Sequence, residues 1–264
     1  MMSNPCLEIK QVSKSFGGLM ALMNVSVNVI PSQIKSIIGP NGSGKTTLLN
    51  IITGFVSASC GSITYRGISL VKKKPHQVAM LGITRTFQTT RIFSNMTVLE
   101  NVMVGRHLRS RSEIVGAALS WPTSLREERE TRVRAEEIVH LMGLDSKKEG
   151  LAENLSFGER RLLEIGRCLA SEPEMILMDE PAAGLNDMEK EALAELILKI
   201  RAWGITFLLV EHNMNLVMQI SDEVFVLNHG EKIAEGTPAE IRTNEAVINA
   251  YLGRRSSKCL RFNR

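Results

Sequence analysis

Short apolar runs separated by turn-forming residues fill the first third of the chain. The runs have the length and the β-branched residues of strands, and the segments between them contain the Gly and Pro of tight turns. The pattern therefore predicts four strands, at 6–12, 25–30, 34–39 and 61–67.

After about residue 92 the apolar positions recur three and four residues apart, which is the spacing of a helix face. Strand-like runs return from residue 173, with one helical pattern, 187–204, among them. Such alternation is typical of a parallel sheet flanked by helices. The chain is therefore predicted to be α/β, with a helical segment inserted into its sheet. The later strands are predicted at 174–180, 205–211, 223–230 and 232–236.

The sequence GPNGSGKTT, residues 39–47, joins a predicted strand to a predicted helix. It fits G-x-x-x-x-G-K-[ST], in which the loop N–H groups and the helix N-terminus surround phosphate oxygens. Lys45 is expected to reach the β- and γ-phosphates, and Thr46 to ligate Mg²⁺. A glycine-rich turn with a surface lysine is the alternative. The predicted nucleotide-binding residues of the loop are Asn41, Gly42, Ser43, Gly44, Lys45, Thr46 and Thr47.

A second candidate for chemistry is MILMDEP, residues 175–181, where two carboxylates end a buried strand. Ligands bind at the carboxyl ends of parallel strands. Asp179 is predicted to hold Mg²⁺ through water, and Glu180 to polarise the attacking water. An acidic strand end without chemistry is the alternative.

Phe16, which lies upstream of the loop in SKSFGG, is the candidate for contact with the base of the nucleotide. An aromatic ring there can stack on adenine, and the chain has no N-K-x-D segment to read guanine. The alternative is a core Phe at a strand end.

Composition restricts the other functions. The whole chain has a net charge of +4, and five cations lie in residues 254–264, so the rest of the chain has a net charge of −1. A nearly neutral body does not indicate nucleic-acid binding. The four cysteines form no C-x-x-C pair, which argues against a zinc site or disulfide framework and suits a reducing cytoplasm. No segment has the pattern of a signal peptide or a membrane span. Work at a membrane would therefore proceed from the cytoplasmic side through a partner.

With these parts in order, residues 7–253 resemble the ATP-binding cassette (ABC) family. GPNGSGKTT is similar to its Walker A motif, MILMDE to its Walker B motif and LSFGE to its signature. AGLN resembles its D-loop, with Asn186 where Asp is usual, Gln88 its Q-loop glutamine and His212 its switch histidine. The resemblance implies a P-loop NTPase (RecA-like) core at about 7–91 and 173–240, including an N-terminal antiparallel β subdomain. It also implies a helical subdomain at about 92–172 with an extra segment at 106–134, and a basic tail at 254–264.

The resemblance also implies roles. In this family two cassettes pack head to tail, so that Ser156, Phe157, Gly158 and Glu159 would serve the ATP of the other chain. Gln88 would join Thr46 and Asp179 at Mg²⁺, and His212 would act with Glu180 in hydrolysis. Ser156 and Glu159 also fit a capping box, S-x-x-E, and both interpretations can hold together.

A narrower resemblance, in segments such as RIFSNMTVLENVMVGRH and GEKIAEGTPAEI, is to ATPase subunits of branched-chain (hydrophobic) amino-acid importers. It implies a second ABC ATPase subunit in a hetero- or homodimer, two transmembrane permeases, an indirect solute-binding protein and a place at the cytoplasmic face of the membrane. Residues 112–121 would contact a partner or pack on their own subdomain.

Three other functions remain as alternatives. They are a urea or amide importer, a lipid-type ABC transporter and a non-transport ABC ATPase. The last class, of the DNA-repair type, predicts coiled coils or zinc modules that the sequence lacks. A small-molecule kinase would lack the signature and the switch histidine.

Overall fold

The computed structural model describes residues 4–87, 92–106 and 121–252. The described strands are β1 (Leu7–Phe16), β2 (Leu19–Val29), β3 (Ile34–Ile38), β4 (Cys60–Tyr65), β5 (Ile68–Ser69), β6 (Ile83–Arg85), β7 (Met175–Asp179), β8 (Thr206–Val210), β9 (Glu223–Asn228) and β10 (Glu231–Gly236). The described helices are α1 (Lys45–Ile52), α2 (Pro75–Met80), α3 (Val98–Gly105), α4 (Trp121–Leu141), α5 (Phe157–Ala170), α6 (Asp187–Arg201), α7 (Met214–Ile220), α8 (Pro238–Thr243) and α9 (Glu245–Leu252).

The chain divides into two compact units. The first joins Met1–Pro75 to Glu191–Arg264, and the second is His76–Lys190. The helical subdomain predicted at about 92–172 does not have the boundaries of the second unit, so it stays a prediction. Residues 107–120 of its extra segment, and the basic tail at 254–264, lie outside the described residues.

The first unit contains an antiparallel sheet of order β2-β1-β4-β5. It also contains β3, which pairs in parallel with both β8 and β9, and β10, which pairs antiparallel with β9. Every residue of β3 and β8 is buried, as expected for strands covered on both faces. The antiparallel and the parallel strands agree with the predicted fold class.

The β1–β2 hairpin is longer than its apolar runs predicted. The strands extend to the pair Phe16↔Leu19, across a turn at Gly17 and Gly18. Register shifts interrupt the pairing, and they hide the alternation of apolar and polar residues on which a sequence pattern depends.

The second unit pairs β6 in parallel with β7, from Ile83↔Met175 to Arg85↔Leu177. Helices α3, α4 and α5 lie between these strands in the sequence and pack on one another. β6 was not predicted, because three residues are too few to show a period. Thr97 and Glu100 begin α3 with a capping box.

Three short helices, α7, α8 and α9, were also missed among the later strands. Their ends carry local signals, since Asn213 caps α7 and Thr237 forms a capping box with Glu240 at α8. Within the described ranges, no helix is both long enough and apolar enough to cross a bilayer.

Candidate functional site

The phosphate-binding loop, residues 39–47, connects β3 to α1. Two of its glycines are required by close backbone neighbours as well as by their positive φ angles. A Cβ on Gly39, at φ 148°, would lie 2.0 Å from the Leu227 carbonyl oxygen. A Cβ on Gly44, at φ 105°, would lie 2.6 Å from the Ala21 carbonyl oxygen. The path of this loop is therefore closed to any residue with a side chain at these two positions.

The N-terminus of α1 is open. Gly44 is its N-cap, no described side chain caps it, and its first turn has no acidic residue. The Ser43 Oγ is buried and has no hydrogen-bond partner among the described residues. Exposed N–H groups, the helix dipole and an orphaned hydroxyl together fit an anion with several oxygens, such as a polyphosphate.

Lys45 lies across the loop. Its side chain is buried, and its Nζ donates to the carbonyl oxygens of Gly39, at 2.8 Å, and Pro40, at 3.0 Å. Thr46 is exposed and Thr47 is half-buried. A cleft beside the loop is lined by Asn41, Gly42 and Ser43 together with residues of the β9–β10 turn and α9.

Phe16 ends β1 with about half of its surface exposed. The Lys14 Nζ lies 4.8 Å from the centroid of its ring. The ring is therefore no part of the core, and the alternative of a core Phe is wrong. Its stacking on a base stays a prediction.

In the second unit, Asp179 ends β7 with 1% of its surface exposed. Its Oδ2 accepts a hydrogen bond of 2.7 Å from Nη2 of Arg85, on β6. Its Oδ1 is buried without a hydrogen-bond partner in the described part of the chain. One oxygen of this carboxylate is thus held and the other is left to a ligand, which fits the predicted contact to metal-bound water. The sequence analysis did not find Arg85, whose only signal is a cation inside a short strand.

Glu180 follows with φ 51° and is half-buried. A left-handed conformation is uncommon for a residue other than glycine and is found disproportionately at functional sites. The backbone leaves the strand geometry at this residue, so the turn sets the direction of the Glu180 side chain. Gln88 lies outside the described residues.

The residue before Gln88 is clamped from α5. The Phe87 N–H donates to Glu164 at 2.9 Å, and Arg161 donates to the Phe87 carbonyl at 2.8 Å. Arg161 and Glu164 form a fully buried ion pair of 2.9 Å. Burial raises the pKa of Glu164. The residue that precedes Gln88 is therefore tied to α5, the helix that begins within the LSFGE sequence.

The LSFGE sequence forms the start of α5, and the capping box predicted there is confirmed. The Ser156 Oγ accepts from the Glu159 N–H, and a Glu159 carboxylate oxygen accepts from the Ser156 N–H. The Lys147 ammonium, 2.6 Å from Glu159, holds the pKa of that carboxyl below its usual value. The cap uses a lone pair of the Ser156 hydroxyl and leaves its proton available for donation.

The other two signature residues, Phe157 and Gly158, lie against the turn before α6 and the first turn of α6. The exposed ring of Phe157 lies over Gly184, where an added Cβ would be 2.9 Å from Cε1. A Cβ on Gly158 would meet a carboxylate oxygen of Glu189 at 2.5 Å. Glu189 and Asn186 exchange two hydrogen bonds of 2.9 Å. A side chain at position 158 would therefore have to displace the Glu189 carboxylate, a constraint that the sequence analysis missed.

His212 lies in the first unit at the end of β8, and its side chain is exposed. The buried Glu211 accepts hydrogen bonds from the N–H groups of His212, at 2.9 Å, and Asn213, at 3.0 Å. Asn213 in turn caps α7. The backbone at His212 is thus fixed by the residue before it and presents the imidazole outward.

Comparison with known proteins bears on these parts directly. Residues 22–183 match the family described as "ABC transporter", and residues 231–256 match "Branched-chain amino acid ATP-binding cassette transporter". The chain belongs to the ABC transporter family. It is an ATP-binding cassette ATPase, as its sequence predicted.

Individual relatives agree over nearly the whole length. LivG of Escherichia coli (strain K12), a high-affinity branched-chain amino acid transport ATP-binding protein, is 43% identical over 253 residues, 96% of this chain and 99% of LivG. BraF of Pseudomonas aeruginosa, also a high-affinity branched-chain amino acid transport ATP-binding protein, is 41% identical over 96% of this chain and 99% of BraF. The ADP conformation of MJ1267, an ATP-binding cassette of an ABC transporter, is 34% identical with a TM-score of 0.82, over 95% of this chain and 100% of that one. The predicted P-loop NTPase fold is confirmed.

Proposed function

We propose that this ABC ATPase drives the import of branched-chain or other hydrophobic amino acids. The observation that carries the proposal is 43% identity to LivG over 96% of the chain, joined to the branched-chain family match at 231–256. A match in the C-terminal segment is informative because the nucleotide-binding motifs, common to all ABC ATPases, lie outside it.

The residues divide between binding and hydrolysis. Loop residues 41–47 bind the phosphates, and Phe16 stacks on the adenine. Thr46, Asp179 and Gln88 would hold Mg²⁺, and a bound Mg²⁺ would supply positive charge to offset that of the phosphates. Glu180 orients the attacking water and takes its proton, and His212 donates to the γ-phosphate. The Ser43 oxygen that lacks a hydrogen-bond partner supports phosphate binding by the loop, and the Asp179 oxygen that lacks one supports the metal site.

The partners follow from the family arrangement. A second cassette supplies its own LSFGE-type helix, and Ser156 and Gly158 of this chain serve the other ATP. Two permeases carry the solute across the membrane, and a solute-binding protein delivers it. The ATPase acts at the cytoplasmic face, attached through the permeases.

The transport proposal is tested by reconstituting the chain with its second cassette, permeases and binding protein in lipid vesicles. ATP-dependent uptake of labelled leucine is expected, with competition by isoleucine and valine and none by urea. A Lys45→Ala complex is the control for leakage. Uptake of urea or an amide without uptake of leucine would replace this cargo by the alternative one.

The chemical role of Glu180 is tested by Glu180→Gln in the same complex. We expect ATP binding close to wild type and hydrolysis slower by at least about 10²-fold, the contribution of a positioned base. Lys45→Ala should instead weaken binding itself. Wild-type turnover by Glu180→Gln would exclude Glu180 as the base.

A further inference from the structure

The ion pair between Arg85 and Asp179 is buried on both sides. The two side chains are 6% and 1% exposed. Arg85 lies opposite Leu177 in the β6–β7 register, and the next residue of β7 on the same face is Asp179. The pair therefore links the strand that precedes Gln88 to the strand that ends in DE.

Stability alone does not account for this pair. Replacing a buried ion pair by apolar side chains of similar volume is often neutral or stabilising, because both charges lose their hydration. The pair is also incomplete, since the guanidinium takes Oδ2 and leaves Oδ1 buried without a partner among the described residues.

Arg85 is itself held from another side. Its guanidinium carbon lies 5.4 Å from the centroid of the Phe87 ring, within the range of a cation–π interaction. The Thr86 N–H donates to the Leu177 carbonyl at 2.9 Å and fixes the backbone next to Arg85. The guanidinium is thus held by the Phe87 ring and donates to one oxygen of the Asp179 carboxylate.

We propose that Arg85 is a positioning residue for the metal: it holds Oδ2 so that Oδ1 of Asp179 faces the water bound to Mg²⁺. The inference rests on the role proposed above for Asp179. Arg85 touches neither nucleotide nor metal in this proposal, and it acts only through the carboxylate.

The test measures ATP affinity by calorimetry in saturating Mg²⁺ and in EDTA, with the full chain in a Glu180→Gln background to prevent turnover. The ratio of the two affinities is the magnesium increment. Arg85→Met should lower the increment about 10-fold, the lower range for removal of a group that orients a metal ligand. Affinity in EDTA should stay unchanged. Arg106→Met is the matched control, because Arg106 also pairs with a carboxylate, that of Glu172 at 2.9 Å, in the same unit.

Arg85→Lys keeps the charge but replaces the planar guanidinium by an ammonium group on a shorter side chain, so it should lose part of the increment. If Arg85→Met does not fold, the magnesium increment of Arg85→Lys tests the proposal in its place. An unchanged increment in a folded Arg85 variant, or an equal loss of affinity with and without Mg²⁺, would overturn the proposal. A larger increment would also overturn it, since Arg85 would then compete with the metal.

Asp179→Asn separates this inference from the proposed function. As a single variant, Asp179→Asn should abolish the magnesium increment, and the double variant Asp179→Asn/Arg85→Met should lose no more affinity than that. If Asp179→Asn leaves the increment intact, the role proposed for Asp179 fails. If Asp179→Asn removes the increment and Arg85→Met does not, only the inference about Arg85 fails.

Discussion

Helices α1 and α5 both begin at glycine-containing sequences typical of anion sites, yet their first turns are built in opposite ways. The start of α1 has a left-handed glycine as N-cap, no capping side chain and no acid. The start of α5 has a reciprocal capping box with Glu159 in its first turn. The N-terminus of α1 has no side-chain cap among the described residues, whereas that of α5 is capped by its own side chains.

The difference fits the proposal that the two sequences serve different parts of one reaction. An open helix start can bind a phosphate through several N–H groups and through its dipole. A capped start is rigid without a ligand and offers one hydroxyl proton, from Ser156, in a defined place. A capped start therefore suits the role proposed above for α5, in which Ser156 contacts the nucleotide of another chain.

The largest test transfers the acid of α5 to α1. Thr47 is the third residue of α1, as Glu159 is the third of α5. Thr47→Glu should weaken ATP binding at least about 100-fold, because a like charge beside the phosphates costs several kcal/mol. The melting temperature without nucleotide should not fall, since an acid in the first turn favours the helix. Thr47→Gln is the uncharged control, and equal affinity of the two variants would show that α1 does not face the phosphates.

The next test concerns Gly158. Gly158→Ala should destabilise the chain by about 1 kcal/mol, because the added methyl group would displace the Glu189 carboxylate from its hydrogen bond with the Asn186 N–H at the start of α6. The loss should appear although Ala favours a helix over Gly. Removing the obstructing side chain in Gly158→Ala/Glu189→Ala should restore part of this loss, as urea denaturation can measure. If the two losses simply add, Glu189 is not what the methyl group meets, and a phosphate from another chain becomes the better reason for glycine.

Ser156 separates capping from recognition. Ser156→Ala loses the cap and should cost about 1 kcal/mol of folding free energy. Ser156→Asp keeps a good cap, so its stability should equal or exceed that of wild type. It should still prevent ATP-dependent dimerisation in the Glu180→Gln background, because its charge would face the phosphate of the other chain. Dimerisation of Ser156→Asp at wild-type ATP concentration would contradict the role in trans.

The smallest effect is expected at Glu159. Its pKa is lowered below 4.5, first by Lys147 and then by the Ser156 N–H, so ionised Glu159 stabilises the fold above that pH. The contribution is lost as pH falls through the lowered value. The free energy of unfolding of wild type should exceed that of Glu159→Gln by a few tenths of a kcal/mol at neutral pH. Denaturation curves measured stepwise below pH 4.5 should show this difference vanish. A difference independent of pH would assign the effect to packing.

Local sequence was sufficient for much of this molecule. The loop at 39–47, the acidic end of β7 and the capping box at Ser156 are each formed by residues close together in the chain. Their conformations follow from glycine, from hydroxyl and carboxylate caps and from apolar period, which act over a few residues. The sequence therefore predicted the fold class and the ATPase family, and it located the three segments to which the chemistry is assigned in the proposal.

Only the tertiary structure determined which distant residues contact those segments. The Arg85–Asp179 pair joins residues 94 positions apart, and the contacts of Gly158 with Glu189 and of Phe157 with Gly184 depend on how α5 packs near the start of α6. No local pattern encodes such pairs, because many distant carboxylates are compatible with one arginine until the chain path brings a single one within 3 Å. The extended β1–β2 hairpin has the same cause, since pairing across the turn stabilises strand residues whose own pattern does not demand a strand.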